Sequence, residues 1–114
     1  MTRRLAMLIL AAVLGVTWAA SPAAAAPDLV NGKKVYVDKC QRCHGVNGKG
    51  DGPKADTLEK KPADYTDKKK MSEFTDAQLK QVILEGKQPM PAYKGKMSDK
   101  ELEDVLAHVR SFAK

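Results

Sequence analysis

The chain runs to 114 residues, with 43% hydrophobic and 30% charged side chains and a net charge of +6, which bounds it to one small domain. Its basic residues are not interleaved with aromatics, so a nucleic-acid surface is excluded as a first reading. No Ser-His-Asp set is present, and the carboxylates mostly alternate with lysines as solvated faces do, which excludes a hydrolytic centre.

Thr2-Arg3-Arg4 is a short positive start, Leu5 through Ala20 is a nearly unbroken apolar run, and Ser21 to Ala26 are small residues suited to cleavage. That order reads as a secretory signal peptide over residues 1–25, cut after Ala25, followed by a domain at 26–114. A retained membrane anchor ranks second, because the run is on the short side for a bilayer span and carries a cleavage site. Processing removes Trp18 and leaves 18 basic against 14 acidic residues, a net charge of +4. The remaining aromatics are Tyr36, Tyr65, Phe74, Tyr93 and Phe112, too few for a chain of this size to build a generous core of its own.

Asp28 is placed to cap a helix that starts at Leu29 and runs to about residue 40. Leu29, Gly32, Tyr36, Cys40 and Cys43 share one face of it. Gly32 inside a helix costs stability relative to alanine, and close approach of a second helix is the reason expected for it.

Cys40-Gln41-Arg42-Cys43-His44 follows, and Cys-x-x-Cys-His is the attachment signature of a c-type haem. Residues three apart share a helical face, so both thiols reach the vinyl groups on one edge of a porphyrin and form thioethers, while His44 offers its Nε2 to the iron. A thioredoxin-like dithiol, a zinc site and a plain disulfide are the competing readings. No buried strand precedes Cys40, the chain lacks four zinc ligands at a usual spacing, and a disulfide leaves the adjacent histidine unexplained. Haem attachment consumes both thiols, so neither a free thiol nor a disulfide is expected in the finished product.

Gly45 to Pro53 is a glycine-rich loop without the Lys-Ser/Thr ending of a phosphate loop, and reads as a tight return around the histidine. Residues 54–58 read as a short helix and 59–70 as a polar, mostly irregular surface segment. Thr75-Asp76-Ala77-Gln78 is a capping box opening a helix with Leu79, Val82 and Ile83 inward and Gly86 at its end. Residues 87–93, with Pro89 and Pro91, read as extended. Ser98-Asp99-Lys100-Glu101 is a second capping box, with Met97 and Leu102 as its hydrophobic staple. The helix after it carries Leu102, Val105, Leu106, Val109 and Phe112 on one stripe. The pattern contains no strand of any length, so the fold class is all-α.

A haem iron with one protein ligand has an open face, and what fills it separates electron transfer from gas or peroxide chemistry. Met71, Met90, Met97 and His108 are the candidates. Met97 is taken by the staple, and His108 lies beside the apolar stripe as a packing residue does. Met71 is a rival. Met90 is preferred, because Pro89 and Pro91 stiffen the backbone on either side of it.

The attachment motif, Gly52-Pro53, Pro89-Met90-Pro91 and a closing amphipathic helix, in that order, resemble the class I cytochromes c, nearest the small soluble monohaem cytochromes of bacteria, from Leu29 to Lys114. The resemblance implies a fold in which the first and last helices cross over a covalently bound haem, with Gly32 and Tyr36 at the close contact. It implies that the Pro53 carbonyl accepts the Nδ1 proton of His44, that Leu58 lies on the haem face, that Tyr65 sits near the propionate edge, and that Met90 is the sixth ligand. His108 departs from the pattern by standing where an aromatic is usual.

The expected function is a periplasmic one-electron carrier, not an enzyme, holding one haem c through Cys40 and Cys43 and its iron through His44 and Met90. Its partners are expected to be redox proteins, with acidic docking patches suited to the lysine excess. Nucleic acid and stable membrane insertion after cleavage are not expected, and a monomer is. The alternatives are a five-coordinate haem that binds a gas or reduces peroxide, and a cytochrome subunit of a larger oxidoreductase complex.

Overall fold

The structure, a computed structural model, describes residues 12–18 and 26–114. The signal-peptide expectation lies mostly outside the described residues; stretch 12–18 is irregular, and Val13, Leu14, Val16 and Trp18 in it are exposed. No helix among the described residues is long and apolar enough to cross a membrane.

Five α-helices and one 3-10 turn follow: α1 (Leu29–Lys39), α2 (Gln41–His44), the 3-10 turn (Ala55–Thr57), α3 (Lys68–Ser72), α4 (Asp76–Glu85) and α5 (Asp99–Ser111). No strand forms among the described residues, and the one isolated bridge pairs Lys87 with Met90. The all-α reading holds.

The helix starts follow from their caps. The Asp28 carboxylate accepts from the N–H groups of Val30 (2.9 Å) and Asn31 (3.1 Å), satisfying two orphan donors of α1. Thr75–Gln78 and Ser98–Glu101 each close both hydrogen bonds of a capping box, as their spacing predicts. Each such cap contributes about 1 kcal/mol.

Helices α1 and α5 form the principal packing pair. Gly32 makes it possible: a Cβ there would lie 2.0 Å from the Asp104 carbonyl oxygen and 3.2 Å from the His108 Cβ. The expected close approach is therefore real. Leu102, Val105 and Val109 of α5 are buried against Val35 and Tyr36 of α1 and against Met71 and Ile83, and Leu106 is buried as well. The His108 ring packs with two aromatic rings at the crossing, its centroid lying 5.0 Å from Tyr36 and 4.9 Å from Phe112.

Asp104, fully buried at the crossing, had no functional or core reading in the sequence. Its carboxylate accepts from Lys100 Nζ (2.5 Å), the Asp28 N–H (2.8 Å) and Asn31 Nδ2 (2.8 Å), so it ties α5 to the first turn of α1. Those three donors, Lys100 first, hold its carboxyl well below the usual carboxylate range, at about 2. Arg110 ties the other end of α5 to the α3–α4 junction, donating to the carbonyls of Met71 (2.6 Å) and Phe74 (2.6 Å) and to Asp76 (3.0 Å).

Several expectations need correction. Val82 is exposed, and the inward residues of α4 are Leu79, Ile83 and Leu84, because the helix meets its neighbours along only a narrow face. Leu29 is also exposed, since α1 turns its first residue away from α5. Residues 59–70 are not irregular throughout: the Asp67 side chain accepts from the Lys70 N–H and starts α3 at Lys68. Residues 87–90 form a tight turn with a cis Gln88–Pro89 peptide rather than an extended run, closed by Lys87 N–H to Met90 O (3.1 Å) and Met90 N–H to Lys87 O (2.8 Å).

Candidate functional site

The attachment motif straddles a break between two helices. Helix α1 ends at Lys39, Cys40 serves as cap to both helices, and α2 is a single turn ending at His44. Gly45 stops it at φ +88, where a Cβ would stand 2.1 Å from an Asp51 carboxylate oxygen. The following loop folds back onto the turn. Gly50, Gly52 and Lys54 donate their N–H groups to the carbonyls of His44 (2.8 Å), Cys43 (3.0 Å) and Arg42 (2.8 Å), which partners the orphan acceptors at the end of α2.

His44 is buried and its two ring nitrogens meet different groups. Nδ1 lies 3.2 Å from the Ala63 carbonyl oxygen and Nε2 lies 3.2 Å from the Tyr65 hydroxyl, with the Tyr65 ring stacked on the imidazole at 4.6 Å. A carbonyl only accepts, so Nδ1 carries the proton and Nε2 presents its lone pair. Burial lowers the imidazole's pKa, and the Ala63 hydrogen bond opposes that in part. Burial also holds the Tyr65 phenol well above its ordinary value, so it stays a donor.

The acceptor at Nδ1 is a correction: it is the Ala63 carbonyl, not that of Pro53. Tyr65 N–H donates to Gly48 O at 2.7 Å and draws residues 62–65 across the glycine loop, while exposed Pro53 is followed by Lys54, whose N–H is spent on Arg42. Either carbonyl performs the same task, which is to fix the tautomer and ring orientation of a metal-binding histidine.

The thiols of Cys40 and Cys43 are unpaired and half-buried. Burial pushes the Cys40 thiol up to about 11, with Lys39 opposing and Cys43 and Asp38 adding to the rise. That is the reverse of the low-pKa thiolate on which a redox dithiol depends. Among the described residues no group of three or more His, Cys, Asp or Glu is arranged to hold a metal ion, so the zinc reading has no geometry behind it.

Cys40, Tyr65 and Met90 pack against one apolar cluster, together with Leu79, Leu84, Tyr93 and Met97. Met71 is in the same cluster and more deeply enclosed, its own carbonyl pinned by Arg110. Leu58 is half-buried but stands apart, facing a shallow depression lined by Gly50, Gly52, Ala55 and Lys61. Tyr65 thus meets the buried His44 directly, and Cys40, Tyr65 and Met90 each pack against the same apolar core, while Pro53 and Leu58 do not.

Sequence reading missed Ala63, whose backbone contribution no residue type announces. It also missed Tyr93, although its place three residues beyond Met90 was a usable signal. The Tyr93 hydroxyl donates to the Lys39 carbonyl at 2.7 Å, immediately before Cys40.

These residues fit a haem. The donor set is two thiols and an imidazole on adjoining turns, with Nδ1 engaged by a carbonyl and the Nε2 lone pair met by a phenol, the place an iron would take. Half-buried apolar side chains from α4 (Leu79, Leu84) and from the loop segments at Tyr65, Met90, Tyr93 and Met97 supply surface that an apolar macrocycle would cover.

Comparison with known proteins agrees. Residues 27–109 match the family described as "Cytochrome C oxidase, cbb3-type, subunit III". The chain is 32% identical to cytochrome c6 of Nostoc sp. over 94% of its own length and 91% of the relative's. It is 37% identical to cytochrome c6 of Synechococcus sp. over 92% and 88% of the two chains. The solved c-type cytochrome KustC0563 superposes with a TM-score of 0.64 at 27% identity, over 73% of this chain and 98% of that one. A capped first helix, a Cys-x-x-Cys-His turn with an oriented histidine, and a last helix crossing the first at a glycine have the same explanation: the chain belongs to the small monohaem class I c-type cytochromes, one-electron carriers built on a covalently attached haem.

Proposed function

We propose that this carrier holds its haem through thioethers at Cys40 and Cys43 and its iron between His44 and Met90, and that it works in the periplasm after loss of residues 1–25. Haem would supply the ferric/ferrous couple, its iron held by His44 and Met90, and a thioether ligand would favour the ferrous form and a high potential. The residues of the chain do the rest. The Ala63 carbonyl keeps the His44 proton on Nδ1, and the cluster around Cys40 and Met90 excludes water. Tyr65 lies beside the imidazole, and Leu58 on the haem face rests on the family resemblance.

One observation carries the choice of Met90 over Met71. Met90 sits at the end of a turn closed by two hydrogen bonds and is only half-buried against the core that Cys40 also packs on, so it is less enclosed than Met71. Met71 is 5% exposed and behaves as core.

A carrier needs a donor and an acceptor. The charge balance of residues 26–114 favours partners with acidic docking patches, met by lysines such as Lys68, Lys69 and Lys70, which are exposed. The domain is read as a monomer with no nucleic-acid partner and no stable membrane insertion once the leader is cut.

The test is carbon monoxide binding to the reduced protein. The unmutated protein binds it poorly, and Met90→Ala binds it readily. Unhindered binding by the unmutated protein would overturn the six-coordinate reading and restore the gas-binding or peroxide-reducing alternative.

A further inference from the structure

The attachment turn is bracketed by two backbone carbonyls, and each accepts from a tyrosine hydroxyl at 2.7 Å. Gly45 O, just after His44, takes Tyr36; Lys39 O, just before Cys40, takes Tyr93. The two bonds look alike and connect different things. Tyr36 belongs to α1, nine residues from its acceptor, and is 1% exposed in the helix crossing. Tyr93 comes from 54 residues away, on the segment that carries Met90.

That segment is fixed at its own end by backbone bonds alone. Lys87 and Met90 close the turn, Tyr93 N–H reaches Ile83 O at 3.1 Å, and Lys94 N–H reaches Leu84 O at 3.0 Å, so residues 87–94 ride on the last turn of α4. Among the described residues, the Tyr93 hydroxyl makes the single hydrogen bond that joins residues 87–97 to residues 26–58. Its acceptor is the last carbonyl of α1, which has no intrahelical partner. Burial holds the phenol in its protonated, donating form.

We propose that Tyr93 is a positioning residue: through its hydroxyl on the Lys39 carbonyl it sets the Met90 segment against the attachment turn, and so governs how firmly the Met90 sulfur competes for the iron. The proposal rests on the reading of Met90 as the sixth ligand. A phenylalanine at 93 keeps the ring and its packing but lets the two sides of the site separate.

The test uses haem-loaded Tyr93→Phe, Tyr36→Phe and Met90→Ala proteins. The oxidised forms are titrated with imidazole, following bleaching of the weak long-wavelength sulfur-to-iron band, and denaturant midpoints are measured alongside. One neutral hydrogen bond corresponds to about a 3- to 10-fold change in an equilibrium. Tyr93→Phe lowers the imidazole concentration needed for half-bleaching by about that factor. Tyr36→Phe removes a bond of the same kind from the same turn, so it lowers the denaturant midpoint but leaves the imidazole titration unmoved. Equal imidazole titrations in Tyr93→Phe and the unmutated protein, or equal shifts in both tyrosine variants, would overturn the positioning role. Survival of the band in Met90→Ala would overturn the ligand reading itself, and the positioning role with it.

Discussion

The α1–α5 crossing and the chamber around the attachment turn are built on different terms. At the crossing, Val105 and Asp104 are fully enclosed, backbone meets backbone at Gly32, and the buried carboxylate has all three of its donors. Around the turn, Cys40, Tyr65, Leu79, Met90 and Tyr93 are only half-buried, and the imidazole nitrogen meets a phenol. The crossing is finished by the polypeptide alone. Around the turn the apolar side chains are only half-covered by the chain itself, and in a small domain with few aromatics a porphyrin would cover them. Mutations at the crossing therefore act on stability, and mutations in the chamber act on the iron.

The strongest way to break that division is Gly32→Leu. A side chain there runs into the Asp104 carbonyl, which as backbone cannot step aside, so the helices are forced apart. Overpacking of this kind costs about 3 kcal/mol, which lowers the thermal midpoint by roughly 10 °C or more in a domain of this size. Thermal unfolding measures it, and the absorption spectrum of the fraction still folded stays that of the unmutated protein. A midpoint within a degree or two of the original would mean the crossing is not close-packed.

Asp104→Asn is the milder probe and separates charge from shape. The folded-state pKa of Asp104 is lowered to about 2, so its contribution is fully present above the ordinary carboxylate value and is lost as pH falls through 2. Denaturant unfolding over that range shows the variant less stable than the unmutated protein at neutral pH and the gap closing toward pH 2. A gap of constant size at every pH would assign the effect to packing instead of the charge-assisted hydrogen bonds.

Much of this was legible in the sequence, and the reasons are local. The capping boxes at Thr75 and Ser98, the Asp28 cap and the α5 stripe follow from spacing over three or four residues, and each formed as expected. Gly32 was legible because an interior glycine in a helix demands an explanation. What escaped is long-range or carried by backbone. Asp104 in an amphipathic helix full of charges looks like one more solvated acid until Asn31 and the Asp28 N–H arrive from 73 and 76 residues away. The Ala63 carbonyl replaced that of Pro53 because the Tyr65 N–H bonds to Gly48, a pairing no motif encodes. The sequence puts Tyr93 at the end of an extended run, which gives no sign that its hydroxyl reaches the other side of the site.

The most direct measurement is acid-acetone extraction of the purified protein followed by an absorption spectrum of the polypeptide fraction. Haem colour that stays with the unmutated chain, and is extracted from a Cys40→Ala, Cys43→Ala double variant, is the result this account predicts. A colourless unmutated protein with two titratable thiols, isolated from cells competent to mature such cofactors, would contradict it.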